Sequence, residues 1–196
     1  MLELKKVAAV LSGVAIREGT VGKARFMRLS DLSDLKSGRE PSLGVGALPE
    51  VARALAIQQG DLIVAARGLS TDMCLANEAV FGAFVSLDLY LVRPDTSKVE
   101  PRYLSAFLSL PSTQALFAIG KQGSGLARLP KDVLEKMRIP IPSMKMQRLI
   151  AGLAGTFEDE ARLLRKLSDL NSILSHELVA RAVNAGDRAG FSRSSR

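Results

Sequence analysis

Apolar positions along the chain change period near residue 100, and the elements they predict change with them. Upstream, the apolar runs are short and bounded by turn-formers: Val7 to Leu11, Arg25 to Leu29, and Leu62 to Ala66 inside Gly60-Asp-Leu-Ile-Val-Ala-Ala-Arg-Gly68. Runs of this kind read as strands. From Val85 to Leu91 the residues Val85, Leu87, Leu89 and Leu91 alternate with Ser86, Asp88 and Tyr90, which predicts a strand with one apolar face, ended by Pro94. Pro49 to Ala56 is read as a short helix between strands.

Downstream the spacing becomes helical. Pro101 suits the first turn of a helix carrying Tyr103, Leu104, Phe107 and Leu108, and Pro111 breaks that run and opens a second helix to Ile119, carrying Leu116 and Phe117. Gly120, Gly123 and Gly125 predict a loop, followed by a short helix over Pro130 to Met137 and a strand over Arg138 to Ile141. No internal repeat is visible.

Pro140 and Pro142 make a stiff exit, after which Ser143 can cap the longest helix. A strict 4-3 alternation runs through Met146, Ile150, Leu153, Phe157, Glu160, Leu164, Leu167, Asn171, Leu174 and Leu178, eight of the ten being apolar. This is a coiled-coil seam, widened by Leu149, Leu163, Leu170 and Ile173, and such a face needs a partner. Roughly 40 residues at 1.5 Å each make a rod on the order of 60 Å, too long to fold wholly onto a small domain. Gly186 is read as its end. The expected fold is α+β: a small mixed β-sheet domain with short helices over 1–142, one long coiled-coil-forming helix over 143–185, and a disordered basic tail over 186–196.

The formal net charge of +7 sharpens this picture. Residues 1–142 hold 18 basic against 14 acidic groups, so the excess sits mainly in the globular part. A surplus of cations favours a polyanionic partner, because neutralising phosphates releases condensed counterions. One cysteine, Cys74, and one histidine, His176, exclude a disulfide framework or a His/Cys zinc site within one chain, and point to a reducing, cytoplasmic setting. Lys5 and Lys6 ahead of Val7 to Ile16 imitate a signal peptide, but Glu3, Ser12 and Gly13 interrupt the pattern, which favours an N-terminal strand. Nothing approaches the roughly 18 to 20 apolar residues of a membrane span.

Four stretches carry a resemblance: Arg25-Phe-Met-Arg-Leu-Ser-Asp-Leu32, Gly60-Asp-Leu-Ile-Val-Ala-Ala-Arg-Gly68, Pro101-Arg-Tyr-Leu-Ser-Ala-Phe-Leu108, and Ile139-Pro-Ile-Pro-Ser-Met-Lys-Met-Gln147 with its heptads. In order and spacing they resemble the target-recognition domain and following helix of Type I restriction-modification specificity subunits. The resemblance implies sequence-specific recognition of double-stranded DNA without a cofactor, with methylation and cleavage left to methyltransferase and restriction subunits. The chain departs from that family at Lys145 and Met146, where an acidic residue usually precedes the glutamine matching Gln147. It departs more in size, since such subunits usually hold two recognition domains and two antiparallel helices. That implies pairing with a second copy, or with another half-subunit, to read a split palindromic site. Asn171 in the seam is a candidate for fixing register, or else a rim position.

Duplex reading needs cations for phosphates and forked donors or amides for base edges. Lys121, Gln122, Ser124, Arg128 and Lys131 gather them around the glycine loop, the alternative being a solvated loop rim. A second group, Arg17, Lys23, Arg25, Arg28, Lys36 and Arg39, is opposed in the same stretch only by Glu18, Asp31 and Asp34. Arg67, between Ala66 and Gly68 at a strand end, is a further candidate, its alternative being a structural salt bridge.

No catalytic or metal-binding residue is assigned. Gly120-Lys-Gln-Gly-Ser-Gly125 lacks the order of a phosphate loop, His176 has no second ligand, and Cys74 has no nearby histidine. An acid-x-Lys constellation after Pro94-Asp95, a glycine fingerprint for S-adenosylmethionine and an Asn-Pro-Pro-aromatic sequence are all absent. Two other readings stay open: a non-catalytic coiled-coil adaptor or remnant specificity protein that binds protein, and a nuclease with an unrecognised site.

Overall fold

Residues 89–92 are apolar on both faces because they run through the middle of a sheet. In the computed structural model, β9 (Leu89–Pro94) pairs antiparallel with β2 (Ala8–Ser12) on one side and β6 (Leu62–Ala65) on the other, and β6 pairs with β7 (Met73–Leu75). The structure describes residues 1–15, 17–18, 22–48, 54–68, 71–121 and 127–191, of which 17, 18 and 185–191 are described by backbone alone.

Alternation along β6 and β9 divides the core. Leu62, Val64, Tyr90 and Val92 face one layer, built with Leu4, Val7 and Val10, the helices α2 (Pro101–Ser109) and α3 (Pro111–Gly120), and Leu134 of α4 (Lys131–Lys136). Ile63, Ala65, Leu89 and Leu91 face the other, closed by Leu32 and Leu35 of α1 (Leu29–Ser37) with Met27, Ile57, Val80 and Val85. Sheets covered on both faces bury continuous apolar runs, which is what these strands carry.

A second sheet has the order β3-β5-β4-β8, with β3 (Arg17–Glu18), β5 (Gly44–Ala47), β4 (Ala24–Met27) and β8 (Phe84–Val85); its β4–β8 pair is parallel and the other pairs antiparallel. Two-residue strands β1 (Leu2–Glu3) and β10 (Arg138–Ile139) pair antiparallel near the helix exit. The α+β expectation, with a mixed sheet and short helices ahead of one long helix, holds.

Several local expectations are corrected. Val85–Leu91 is not one strand: Val85 ends β8, the Leu89 amide donates to the Ser86 carbonyl at 3.0 Å to close a turn, and Leu87 is 49% exposed. Alternation fitted this stretch because the turn-formers Ser86 and Asp88 fall in the polar phase. The strand read to Leu29 stops at Met27, since the buried Asp31 carboxylate takes the Arg28 N–H at 2.7 Å and starts α1, which Gly38 ends at φ 78°. The strand read to Ile141 stops at Ile139, because Pro140 has no amide to donate. Phe117 is buried in α3 but Leu116 is exposed. Of the helix read over Pro49 to Ala56, residues 49–53 lie outside the described residues, and 54–56 carry no regular element.

The long helix α5 (Met144–Phe191) continues past Gly186, which sits within it instead of capping it. Only 192–196 of the expected tail lie outside the described residues. The chain divides into two compact units, Met1–Gly155 and Thr156–Arg196, beyond the 142/143 boundary read from sequence. The reason is packing: Ala151 is buried in the core of the first unit and Ile150 packs against it.

Candidate nucleic-acid interface

Three segments meet where β6 ends. Ala66 donates its amide to the Asp88 carbonyl at 2.8 Å and accepts from the Leu129 amide at 2.8 Å, and Arg67 and Arg128 form an antiparallel backbone bridge. The buried Tyr90 hydroxyl donates to the Leu129 carbonyl at 2.8 Å, which fixes the third segment against the sheet. Two arginines far apart in sequence are thereby side by side.

Their side chains are anchored as well. The Arg128 guanidinium lies 5.6 Å over the Tyr90 ring and donates to the Leu87 carbonyl at 3.2 Å. Arg67 Nε is 3.2 Å from an Asp88 carboxylate oxygen, so the salt bridge weighed for it is present, with both side chains nearly half exposed. Lys121, leaving α3, donates to the Gly68 carbonyl at 2.7 Å, and partial burial holds its ammonium below the ordinary value against the opposing pull of Asp72. Lys36 of α1 pairs with the same Asp72 at 2.6 Å. Between α1 and the β6 exit, Leu29, Leu32, Ser33, Ala65, Arg67, Gly68 and Asp72 line a cleft of about 130 Å³.

The structure thus gathers Lys36, Arg67, Lys121 and Arg128, and separates groups that the sequence joined. Arg25 donates to the Ala79 carbonyl at 2.6 Å. Arg28 donates to the Ser42 carbonyl at 2.9 Å and lies 5.8 Å over the Phe26 ring, while Arg39 is held by Asp34 at 2.8 Å. Lys131 pairs along its own helix with Glu135 at 3.4 Å. Gln122 and Ser124 lie outside the described residues. Exposed ion pairs of this sort hold little net energy, so a polyanion can exchange for the carboxylate partners. Asp72 and Asp88, which moderate the patch, carry no signal in the sequence, because their partners are 36 and 21 positions away.

On α5, the motif residue Gln147 is a buried staple. Its Oε1 accepts from the Glu100 amide at 2.9 Å, and its Nε2 donates to the carbonyls of Pro142 at 2.9 Å and Lys98 at 3.2 Å. Tyr103 adds a hydroxyl bond to the Pro140 carbonyl at 2.7 Å. The seam residue Ile150 is used by this same packing, so it belongs to the first unit's core more than to a partner face. Met146 and Leu153 remain exposed there. In the second unit Phe157, Leu164, Leu167, Leu174 and Leu178, flanked by Leu163, Leu170 and Ile173, are each between 54% and 67% exposed, and Asn171 is exposed among them.

Burial pushes the Cys74 thiol up to about 12, so it is a neutral, inert group. Among the described residues no three His, Cys, Asp or Glu side chains are grouped to hold a metal, and no helix is long and apolar enough to cross a membrane.

Residues 48–170 match the family model described as "Type I restriction modification DNA specificity domain". Among solved structures, the HsdS subunit from Thermoanaerobacter tengcongensis is similar at a TM-score of 0.61 and 20% identity, over 85% of this chain and 39% of that one. A structure reported for complex assembly and conformational transition of the type I R-M system gives 0.62 and 20%, over 85% and 40%. The Type-I restriction-modification system S subunit from M. genitalium gives 0.60 and 14%, over 90% and 43%. These identities establish a shared fold, and the chain spans about two fifths of the length of the structures it matches. A search of curated protein sequences found no match.

Proposed function

Because the chain belongs to the Type I restriction modification DNA specificity family, we propose that it selects a sequence of double-stranded DNA on behalf of partner subunits and performs no chemistry itself. The observation that carries this reading is the convergence of Lys36, Arg67, Lys121 and Arg128 at the exit of a buried strand. Lysines there meet phosphates as point charges, and the two paired arginines present forked donors suited to guanine edges. Arg25, Arg28, Arg39 and Lys131, held by partners of their own, are further candidate phosphate contacts apart from that cluster. Gln122 and Ser124 complete the loop between Lys121 and Arg128 in sequence.

The apolar face of α5 is the second half of the reading. The partner is a second copy or another specificity half-subunit, paired helix to helix, with methyltransferase subunits and a restriction subunit docking on the assembly in the cytoplasm. The exposed apolar positions of α5, from Phe157 to Leu178, support pairing. Selecting bound duplexes from a random pool, at several salt concentrations and with and without a methyltransferase subunit, tests recognition. Enrichment of a motif supports the proposal; a pool unchanged after selection under every condition removes it.

A further inference from the structure

We propose that two copies of α5 pair antiparallel in one register, which places Glu160 of each helix against the partner's Asn171. The inference rests on the self-pairing reading above and goes on to say how the helices align. Its starting point is the pattern of the exposed seam. Between Leu153 and Leu178 the 4-3 positions are Leu153, Phe157, Glu160, Leu164, Leu167, Asn171, Leu174 and Leu178, all exposed. Glu160 and Asn171 are the polar members.

In an antiparallel pair, each layer joins one heptad position with its opposite number on the other helix. One alignment sets Leu153 against the partner's Leu178, Phe157 against the partner's Leu174, Leu164 against the partner's Leu167, and Glu160 against the partner's Asn171. Every apolar residue then meets an apolar one. The Asn171 amide donates to the carboxylate, which gives the polar layer an internal partner and spares it desolvation against leucine.

The flanks are compatible with this pairing. Leu163 falls beside the partner's Leu170, and the small residues Ala154 and Ala161 fall beside the partner's Ser175 and Ser168. Leucine meets leucine in the middle of one side, with Thr156 and the partner's Glu177 at its ends, and small meets small on the other side.

Competing alignments lose the seam matches. A slip of one heptad sets Glu160 against the partner's Leu178 and Phe157 against the partner's Arg181; the opposite slip sets Glu160 against the partner's Leu164 and Leu153 against the partner's Asn171. A parallel, in-register pair opposes Glu160 to its own copy, two like charges in one layer. The seam also ends where it should. The next position toward the N-terminus is Ile150, already packed on the first unit's core, and its counterpart would be Arg181. A polar layer that disfavours slipped registers is a known device of coiled coils.

Disulfide trapping of the full chain tests the register. Two variants in a Cys74→Ser background, Glu160→Cys and Asn171→Cys, are distinguished by a tag, mixed under reduction and then oxidised; the pair Leu164→Cys and Leu167→Cys is run alongside. Expected is a disulfide dimer holding one chain of each variant, in both mixtures, well in excess of any formed by one variant alone. Same-variant disulfides at 160 and 171 would overturn the antiparallel register. So would the absence of a mixed product in both mixtures while sedimentation of the unaltered chain shows a dimer. A chain that sediments as a monomer at every concentration, alone, removes self-pairing itself and the register with it.

Discussion

The side-chain carbonyl of Gln147 accepts a hydrogen bond from the backbone amide of Glu100 at 2.9 Å, across 47 positions of sequence. Glu100 is also the N-cap of α2, its carboxylate taking the Tyr103 amide at 2.7 Å. One amide group therefore joins the start of α5 to the start of α2, and its NH2 closes on Pro142 and Lys98. The Gln147 side chain is buried, so its amide depends on these protein partners.

Replacing Gln147 with leucine keeps the bulk and strips the polar partners from one amide and two carbonyls. Leaving buried polar groups unpaired costs about 1 to 3 kcal/mol apiece before relaxation. A net loss of about 2 to 4 kcal/mol is expected in urea unfolding, and an unchanged midpoint would show that Gln147 does not staple the helix.

Arg93 closes on Asp61 with two bonds, Nε at 2.8 Å and Nη2 at 2.7 Å, and the Asp61 carboxylate is nearly inaccessible to solvent. The hydrogen bond to Asp61 raises the Arg93 pKa further above its ordinary value. Asp61→Ala leaves a partly buried cation without its counterion and should destabilise the first unit by about 3 kcal/mol, as removal of one member of a buried pair does. Thermal unfolding monitored by circular dichroism checks this.

Cys74 ionises in the folded chain only toward about 12, against an ordinary value of 9.0. At pH 8 the thiolate fraction is lower by about a thousandfold, three pH units' worth, and alkylation should slow to match. Since the folded pKa lies above the unfolded one, raising the pH past 9 favours the unfolded thiolate and erodes stability. Rapid labelling of native protein at pH 8 would contradict the burial.

Glutamate at both Leu164 and Leu167 puts charge into the middle of the exposed seam. Light scattering should report half the mass of the parent dimer. The first unit should keep its unfolding transition, since neither residue belongs to its core.

Arg128→Gln removes a forked donor held over Tyr90, and should alter the selected base preference more than total affinity. Lys36→Ala should do the reverse, lowering affinity for all sequences and reducing the salt slope by about 1. Selected motifs identical for both variants and parent would place base reading elsewhere.

Much of this architecture was legible because local signals and tertiary needs agree. Pro101 and Pro111 start helices in sequence and in space, and the apolar runs in β6 and β9 lie in the centre of a sheet. The heptads of α5 remain the plainest signal in the chain. What escaped depends on distant partners. Alternation could not reveal that Val85 and Leu89 belong to different sheets, since a turn of Ser86 to Asp88 preserves the phase. The short strand β5, with two glycines, carries almost no pattern, and α1 owes its start to the buried Asp31. Within the basic groups, sequence proximity linked Arg25, Arg28, Lys36 and Arg39, whereas the fold sends Lys36 toward Asp72 and the β6 exit. Arg67 and Arg128 meet through a backbone bridge that no spacing rule could announce.

The proposed reader of duplex sequence is the cationic surface at the β6 exit, in copies joined through α5. Titrating the purified chain onto duplexes recovered from a random pool, across a range of salt, tests it most directly. Expected is enrichment of two related half-sites at fixed spacing, with affinity falling steeply as salt rises. Binding that ignores sequence, or no binding in dilute buffer with a methyltransferase subunit present, would contradict it.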